Sequence, residues 1–319
     1  MWRCDTTNSA NESVKYETMN FNRNFVFRLW CSLLLALCAA TSCEDGGEQG
    51  EYLRAEPEEE LAVDTLRLIS YNILEGMKLD QTAGKTELAA WVRSMNPDIL
   101  ALQEANKFTQ ESLERLAASY GHPYVVTNIK KGDNYPVALT SKYPVEVIAK
   151  ITEGVSHGAI HVRIRGVNIV VLHLWPHATG SNGYADGNSY RMAEITAFLD
   201  GTLKAHPGEV RWLMMGDFNS VSPLDADDLP GGVGLNYDVH TKVLGSGYHD
   251  LMRSYRGYFI PSCPTAAFAG GNDTRIDFIY GSSAMLSDMT CVETVRDDFT
   301  DTRSDHYPLL TEFRVYGTK

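Results

Sequence analysis

The sequence predicts an α/β fold of the α+β type: helices packed outside β-sheets, with polar groups gathered where the strands end. Three observations carry this. Apolar runs of strand length recur along the chain, helical stripes fall between them, and several of the most apolar runs pass straight into charge. Of 319 residues, 44% are apolar, 22% charged and 10% aromatic, which is the profile of a globular chain able to bury a core.

The strand candidates are 66–71, 98–102, 137–140, 145–151, 159–164, 167–172, 212–215, 276–280 and 309–315. The first helix is 86–95, with Leu88, Ala89 and Val92 at helical spacing. The second is 108–120, with Leu113 and Leu116 ahead of Gly121. The third is 190–205, with Met192, Ile195, Leu199 and Leu203 on one face. From residue 61 onward no repeat, low-complexity run or linker interrupts the pattern, so 61–319 reads as one domain.

Charge and cysteine use narrow the function. Asp and Glu number 41 against 28 Lys and Arg, a formal charge of -13, which argues against holding nucleic acid by electrostatics; no stable nucleic-acid complex is expected. Six Cys, at 4, 31, 38, 43, 263 and 291, are too few and scattered for a disulfide scaffold, and no CxxC pair suggests zinc. Spacing alone does not join Cys263 to Cys291.

Residues 1–43 read as a precursor segment. Arg23 and Arg28 precede an apolar run from Trp30 to Ala40, the length of a signal h-region and short of the ~20 residues of a membrane span. The run ends in Ala40-Thr41-Ser42-Cys43, which resembles a bacterial lipoprotein box and makes Cys43 the expected lipidation site. The polar stretch 1–18 ahead of the n-region makes Met19 the expected start of translation. Residues 44–60 are rich in Glu and Asp and read as a flexible acidic tether. The expectation is an exported bacterial lipoprotein, periplasmic or anchored at the outer membrane or cell surface. It would meet the membrane through its N-terminal lipid only and be monomeric.

Chemistry is concentrated where apolar strands meet charge. Leu66 to Tyr71 ends in Asn72, Ile99 to Leu102 runs into Gln103-Glu104, and Trp212 to Gly216 runs into Asp217-Phe218-Asn219. Continued extension past Gly216 would point Asp217 and Asn219 to one side. Asp277 interrupts the apolar run Ile276 to Tyr280, and Ser304-Asp305-His306 precedes the last strand. A buried acid of this kind requires a partner.

These segments resemble the endonuclease/exonuclease/phosphatase superfamily, which includes deoxyribonucleases, sphingomyelinases, deadenylases and inositol polyphosphate phosphatases. The motifs appear in family order as Ile69-Ser70-Tyr71-Asn72, Leu102-Gln103-Glu104, Val171-Leu172-His173-Leu174, Gly216-Asp217-Phe218-Asn219, Arg275-Ile276-Asp277 and Ser304-Asp305-His306. The resemblance implies a four-layer sandwich: two mixed β-sheets face to face, helices outside, and the site at one rim. It also implies a divalent ion, Mg2+ with Mn2+ as a substitute. Glu104, Asn72 and Asp305 offer the carboxylate and amide oxygens such a hard ion takes.

By the same resemblance, His306 takes the proton from an attacking water and Asp277 holds its other ring nitrogen. Asp217 and Asn219 would hold that water and a phosphoryl oxygen, and His173 would donate to a non-bridging oxygen, with His177 as a rival. Asp133 and Asn134 lie where some members carry the acid that orients this His. Arg275 and Arg303, next to motifs, are the substrate-binding candidates. Ser141-Lys142-Tyr143-Pro144 resembles a structural turn of the family.

The implied activity is an exported Mg2+-dependent phosphoesterase cleaving a phosphodiester or phosphomonoester by in-line attack of water. By the resemblance, abasic-site repair enzymes have no His where His173 stands, which argues against DNA repair, and Ser220 stands where inositol polyphosphate phosphatases carry Tyr-Arg. Secreted nuclease and lipid or sugar-phosphate esterase both stay open. The loop 175–188, with Trp175 and Tyr184, reads as an aromatic wall at the rim that suits bases and sugars alike. The alternative is a catalytically inactive surface lipoprotein binding a phosphorylated or glycan ligand.

Overall fold

The computed structural model describes residues 63–130, 135–232 and 234–316. The expectations for 1–43 and 44–60, Cys43 and Met19 included, and those for Asp133 and Asn134, lie outside the described residues. Two six-stranded mixed sheets form the centre. One runs in the order β11 (Met289–Thr294), β12 (Leu309–Tyr316), β1 (Val63–Asn72), β2 (Ile99–Gln103), β4 (Ala138–Ser141), β3 (Tyr124–Thr127). The other runs β5 (Glu146–Ile151), β6 (Ala159–Ile164), β7 (Val167–His173), β8 (Trp212–Asp217), β10 (Asp277–Gly281), β9 (His249–Asp250).

Side-chain alternation sorts each strand between an inner and an outer face. Leu66, Leu68, Ile99 and Ala101 of the first sheet share one buried cluster with Ile169, Val171, Leu213, Met215 and Ile279 of the second, so this cluster is the layer between the sheets. On the outer face of the first sheet, Ile69, Tyr71, Leu100 and Leu102 pack on Leu88 and Val92 of the helix Thr86–Met95 and Leu113 of the helix Gln110–Ser119. Outside the second sheet, Val170, Leu172 and Met214 pack on Ile195, Phe198 and Leu199 of the helix Gly187–Gly201 and Val243 of the helix Asp238–Gly245. The predicted sandwich of two sheets with helices outside is therefore the observed one.

The predicted strands and helices are present, several with shifted ends; the third helix begins at Gly187 and ends at Gly201, not 190–205. Strands β3, β9 and β11 and the helices Asp238–Gly245, Leu251–Arg256, Ser283–Asp288 and Thr300–Arg303 were not anticipated. The Ser141 to Pro144 turn is structural as expected: Lys142 N donates to Asp98 O at 2.9 Å and Lys142 Nζ reaches Asp98 Oδ1 at 3.1 Å. Cys263 is a free thiol, so it is not joined to Cys291. Among the described residues no helix is long and apolar enough to cross a membrane.

Gly216 governs the approach of β7 and β8 below the site. Its φ is +145°, and a Cβ there would lie 1.9 Å from Leu172 O. Backbone cannot yield as a flexible side chain does, so Gly216→Ala must push the two strands apart. We predict a loss of about 3 kcal/mol or more, measurable by urea unfolding; an unchanged midpoint would contradict it.

Candidate active site

Strand register assembles the site. His173 pairs with Asp217 in the parallel β7–β8 ladder, and Asp217 pairs with Asp277 in the antiparallel β8–β10 ladder. Directly paired residues share a face, and here it is the inner one: Ile169, Val171, Leu213, Met215 and Ile279 line the core on the same alternation. In the opposite sheet Leu66 and Leu68 lead by twos to Asn72, and Ile99 and Ala101 lead to Gln103. The inter-sheet core thus turns polar at its rim.

The two sheets meet through hydrogen bonds. Asn72 Nδ2 donates to Asp217 Oδ2 at 3.0 Å and to Glu104 Oε1 at 3.3 Å. Ser304 Oγ donates to Asn72 O at 2.7 Å and accepts from His306 N at 3.3 Å, which brings the approach to β12 into the same corner. Glu104 follows β2 with a left-handed φ of 56°, and its Oε2 accepts from Glu75 N at 2.8 Å.

His306 and Asp277 form a buried pair, Nδ1 to Oδ2 at 2.8 Å, with His306 Nε2 4.0 Å from Asp217 Oδ2. Ser262, which carried no signal in the sequence, holds Asp277: its Oγ donates to Asp277 Oδ2 at 2.7 Å and accepts from Asp277 N at 3.1 Å. His173 Nε2 lies 3.6 Å from Asp217 Oδ2.

Electrostatics follow from burial and from these contacts. Burial first, then the Asp277 charge, pushes the Asp217 carboxyl up to about 7, against the pull of His306. Burial would lower His306, but Asp277 and then Asp217 outweigh it and hold the imidazole well above its ordinary value. His173 is held well below its own, by burial first and then by the charges of His157 and His306. One imidazole is therefore basic and the other neutral. Three interacting groups of this kind titrate as a unit.

Two sets of residues could serve a cation. The ligating atoms of Asp217, Asp277 and His306 lie within 4.8 Å of one another, but His306 Nδ1 and Asp277 Oδ2 are spent on each other, as suits proton handling. Glu104 and Asp305 fit a hard cation better. Both line one cavity of about 790 Å³, and Asp305 Oδ1 is buried there with no hydrogen-bond partner among the described residues. Asn72 Oδ1 accepts from Leu74 N at 3.2 Å and keeps a second lone pair.

Several expectations change. Extension does not continue past Asp217: Asn219 adopts a left-handed φ of 46°, its N donates to Asp217 Oδ1 at 2.8 Å, and its Nδ2 is taken by Leu174 O at 3.0 Å. Asn219 therefore braces Asp217 rather than lying beside it. Arg275 is not open to a substrate. It is 1% exposed, with Nη1 and Nη2 on Asp250 at 2.9 and 2.6 Å and Nε on Asp225 at 2.8 Å. Arg303 pairs with Glu87 at 2.6 Å and does not line the cavity.

Among the described residues the Lys and Arg side chains that do line the cavity are Lys78 and Lys130, neither adjacent to a motif. Lys78 pairs with Glu75 at 2.8 Å, and Lys130 Nζ donates to Thr152 O and Val155 O. Trp175, His177 and Tyr190 line the same cavity, so the aromatic wall expected of the loop lies there, with Tyr184 stacked on Tyr190 at 4.9 Å. His157, stacked on His173 at 4.4 Å, was also missed.

A model of the Endonuclease/Exonuclease/phosphatase family matches residues 69–306. Among solved structures the chain is similar to a 3'-5' exonuclease from Neisseria meningitidis, with a TM-score of 0.62 and 20% identity over 78% of this chain and 99% of that one. It is similar also to an AP endonuclease from Archaeoglobus fulgidus, with a TM-score of 0.57 and 19% identity over 79% and 100%. A third likeness is to an endonuclease/exonuclease/phosphatase from Beutenbergia cavernae, with a TM-score of 0.55 and 16% identity over 79% and 72%. At these identities the likeness is one of fold. The matched family consists of metal-dependent hydrolases of phosphate esters, and this chain is an enzyme of that class. With its motifs in order along two facing sheets and the match running through all of them, the chain belongs to the Endonuclease/Exonuclease/phosphatase family.

Proposed function

We propose that the protein is an exported, Mg2+-dependent phosphoesterase that cleaves a phosphodiester or phosphomonoester by in-line attack of water. The observation that carries the reading is the convergence of the hydrogen-bonded His306–Asp277 pair on buried Asp217, beside the unpartnered Asp305 oxygen. In this reading Glu104 and Asp305, with Asn72, hold the ion. It would neutralise charge on the phosphoryl oxygens and the departing alkoxide.

The side chains divide the remaining work. Asp277 fixes the imidazole so that His306 Nε2 faces the water and accepts its proton. Asp217, braced by Asn72 and Asn219, orients that water. His173, neutral and with Nε2 turned to Asp217, supplies a donor for a non-bridging oxygen. Export, lipid attachment at Cys43 and contact with the membrane through that lipid alone belong to the same proposal and rest on the N-terminal sequence; a monomeric state is proposed with them.

Purified protein should be assayed on bis-p-nitrophenyl phosphate, plasmid DNA, sphingomyelin and sugar phosphates, with Mg2+ and with EDTA. We expect turnover on at least one, lost in EDTA and restored by Mg2+. Absence of turnover on all would favour the ligand-binding alternative.

A further inference from the structure

Behind the cavity, the helix Gly187–Gly201 buries a carboxylate that the chemistry above does not use. Glu194 is 0% exposed and projects from a helix face otherwise filled by Ile195, Phe198 and Leu199. Its Oε1 accepts from Ser156 N at 2.7 Å and Ser156 Oγ at 2.5 Å, and its Oε2 accepts from Trp175 N at 2.8 Å. Burial raises its pKa, against the pull of those same donors. An apolar side chain would be easier to bury here, so the carboxylate is present for its acceptors.

Those acceptors join two backbone straps that flank the site. His157 follows Ser156, and Trp175 lies two residues beyond His173. The three rings form a stack: His157 on His173 at 4.4 Å and 29°, and Trp175 on His157 at 6.4 Å and 21°. Arg191, one helical turn from Glu194, pins the outer strap from the same side, its Nη1 donating to Trp175 O at 2.8 Å and His177 O at 3.2 Å.

We infer that Glu194 is a positioning residue for His173: by tying Ser156 to Trp175 it fixes the ring stack that sets the imidazole facing Asp217. The inference rests on the phosphoesterase reading. A carboxylate alone can take all three donors at once, whereas glutamine would turn an N–H toward an N–H.

The test compares Glu194→Gln with wild type on bis-p-nitrophenyl phosphate and Mg2+, and records the NMR resonance of the His173 ring. Val243→Ala, in the core under the neighbouring helix, controls for a general loss of stability. Glu194→Gln is expected to lower kcat about 10- to 100-fold, the effect of a misplaced reacting group, and to shift the His173 resonance. Val243→Ala is expected to keep wild-type kcat. A folded Glu194→Gln with wild-type kcat and an unmoved resonance overturns the role. Should that variant not fold, Ser156→Ala decides: a loss of at least about 3-fold in kcat supports the role, and no loss overturns it. If wild-type protein has no metal-dependent turnover, the phosphoesterase reading fails, and this role with it.

Discussion

Replacing His306 by alanine is expected to lower kcat on the preferred substrate by about 100- to 10,000-fold while the protein stays folded, because it removes the group that takes the water's proton. Alanine removes the ring and leaves the Asn72–Asp217 hydrogen bond in place as the link between the sheets. Asp277→Asn should fall in the same range, since asparagine keeps the size of the acid but removes its charge. The two differ in pH dependence. A base is active when unprotonated, and Asp277 holds His306 above the ordinary histidine range. Wild-type activity should therefore rise with pH through a midpoint above about 6.5. Without the Asp277 charge the imidazole releases its proton more readily, so the acid limb of Asp277→Asn should move to lower pH. A limb that stays in place would remove Asp277 from this role.

Arg275→Met is expected to destabilise the fold by about 3–5 kcal/mol, the scale for removing one partner from a buried ion pair. Arg275 lies between Asp225 and Asp250, both buried, with its Cζ 4.4 Å from the Phe278 ring centroid. Losing the cation leaves two buried acids, of which Asp225 keeps Arg253 at 2.7 Å and Asp250 keeps the Arg253 backbone N at 3.1 Å. Adding Asp250→Asn should recover much of the loss, because Asp250 is then the buried charge left without a counterion, whereas Asp225 still faces Arg253. Urea unfolding measures both. The KM of the folded enzyme should remain within about 2-fold of wild type, whereas direct substrate contact by Arg275 would raise it by 10-fold or more.

The contrast between Asp277 and Arg275 shows what sequence pattern reveals. Asp277 continues the inward alternation that contains Ile279, and Asp217 continues that of Leu213 and Met215. A charge on an inward register marks a site, because burying it there demands a partner. Arg275 precedes the strand, and its partners lie 50 and 25 residues away at Asp225 and Asp250, so nothing local reports that its guanidinium is already taken. Asn219 misled for a related reason: alternation holds only while the backbone stays extended, and a left-handed φ ends it. The unanticipated strands were short or masked. β9 has two residues, β3 has four, and β11 sets Thr290, Glu293 and Thr294 among its few apolar positions. Lys78, Ser262 and Glu194 act through folded neighbours, so their sequence surroundings carried no signal.

Metal binding to the isolated protein tests the central claim most directly. Mn2+ added to EDTA-treated, dialysed protein should bind at the Glu104 and Asp305 corner, read from the loss of its free electron-spin signal. Glu104→Gln should weaken that binding at least about 10-fold and raise by a similar factor the metal concentration needed for half-maximal hydrolysis. Equal affinity in wild type and Glu104→Gln, or hydrolysis that persists undiminished in EDTA, would contradict the account.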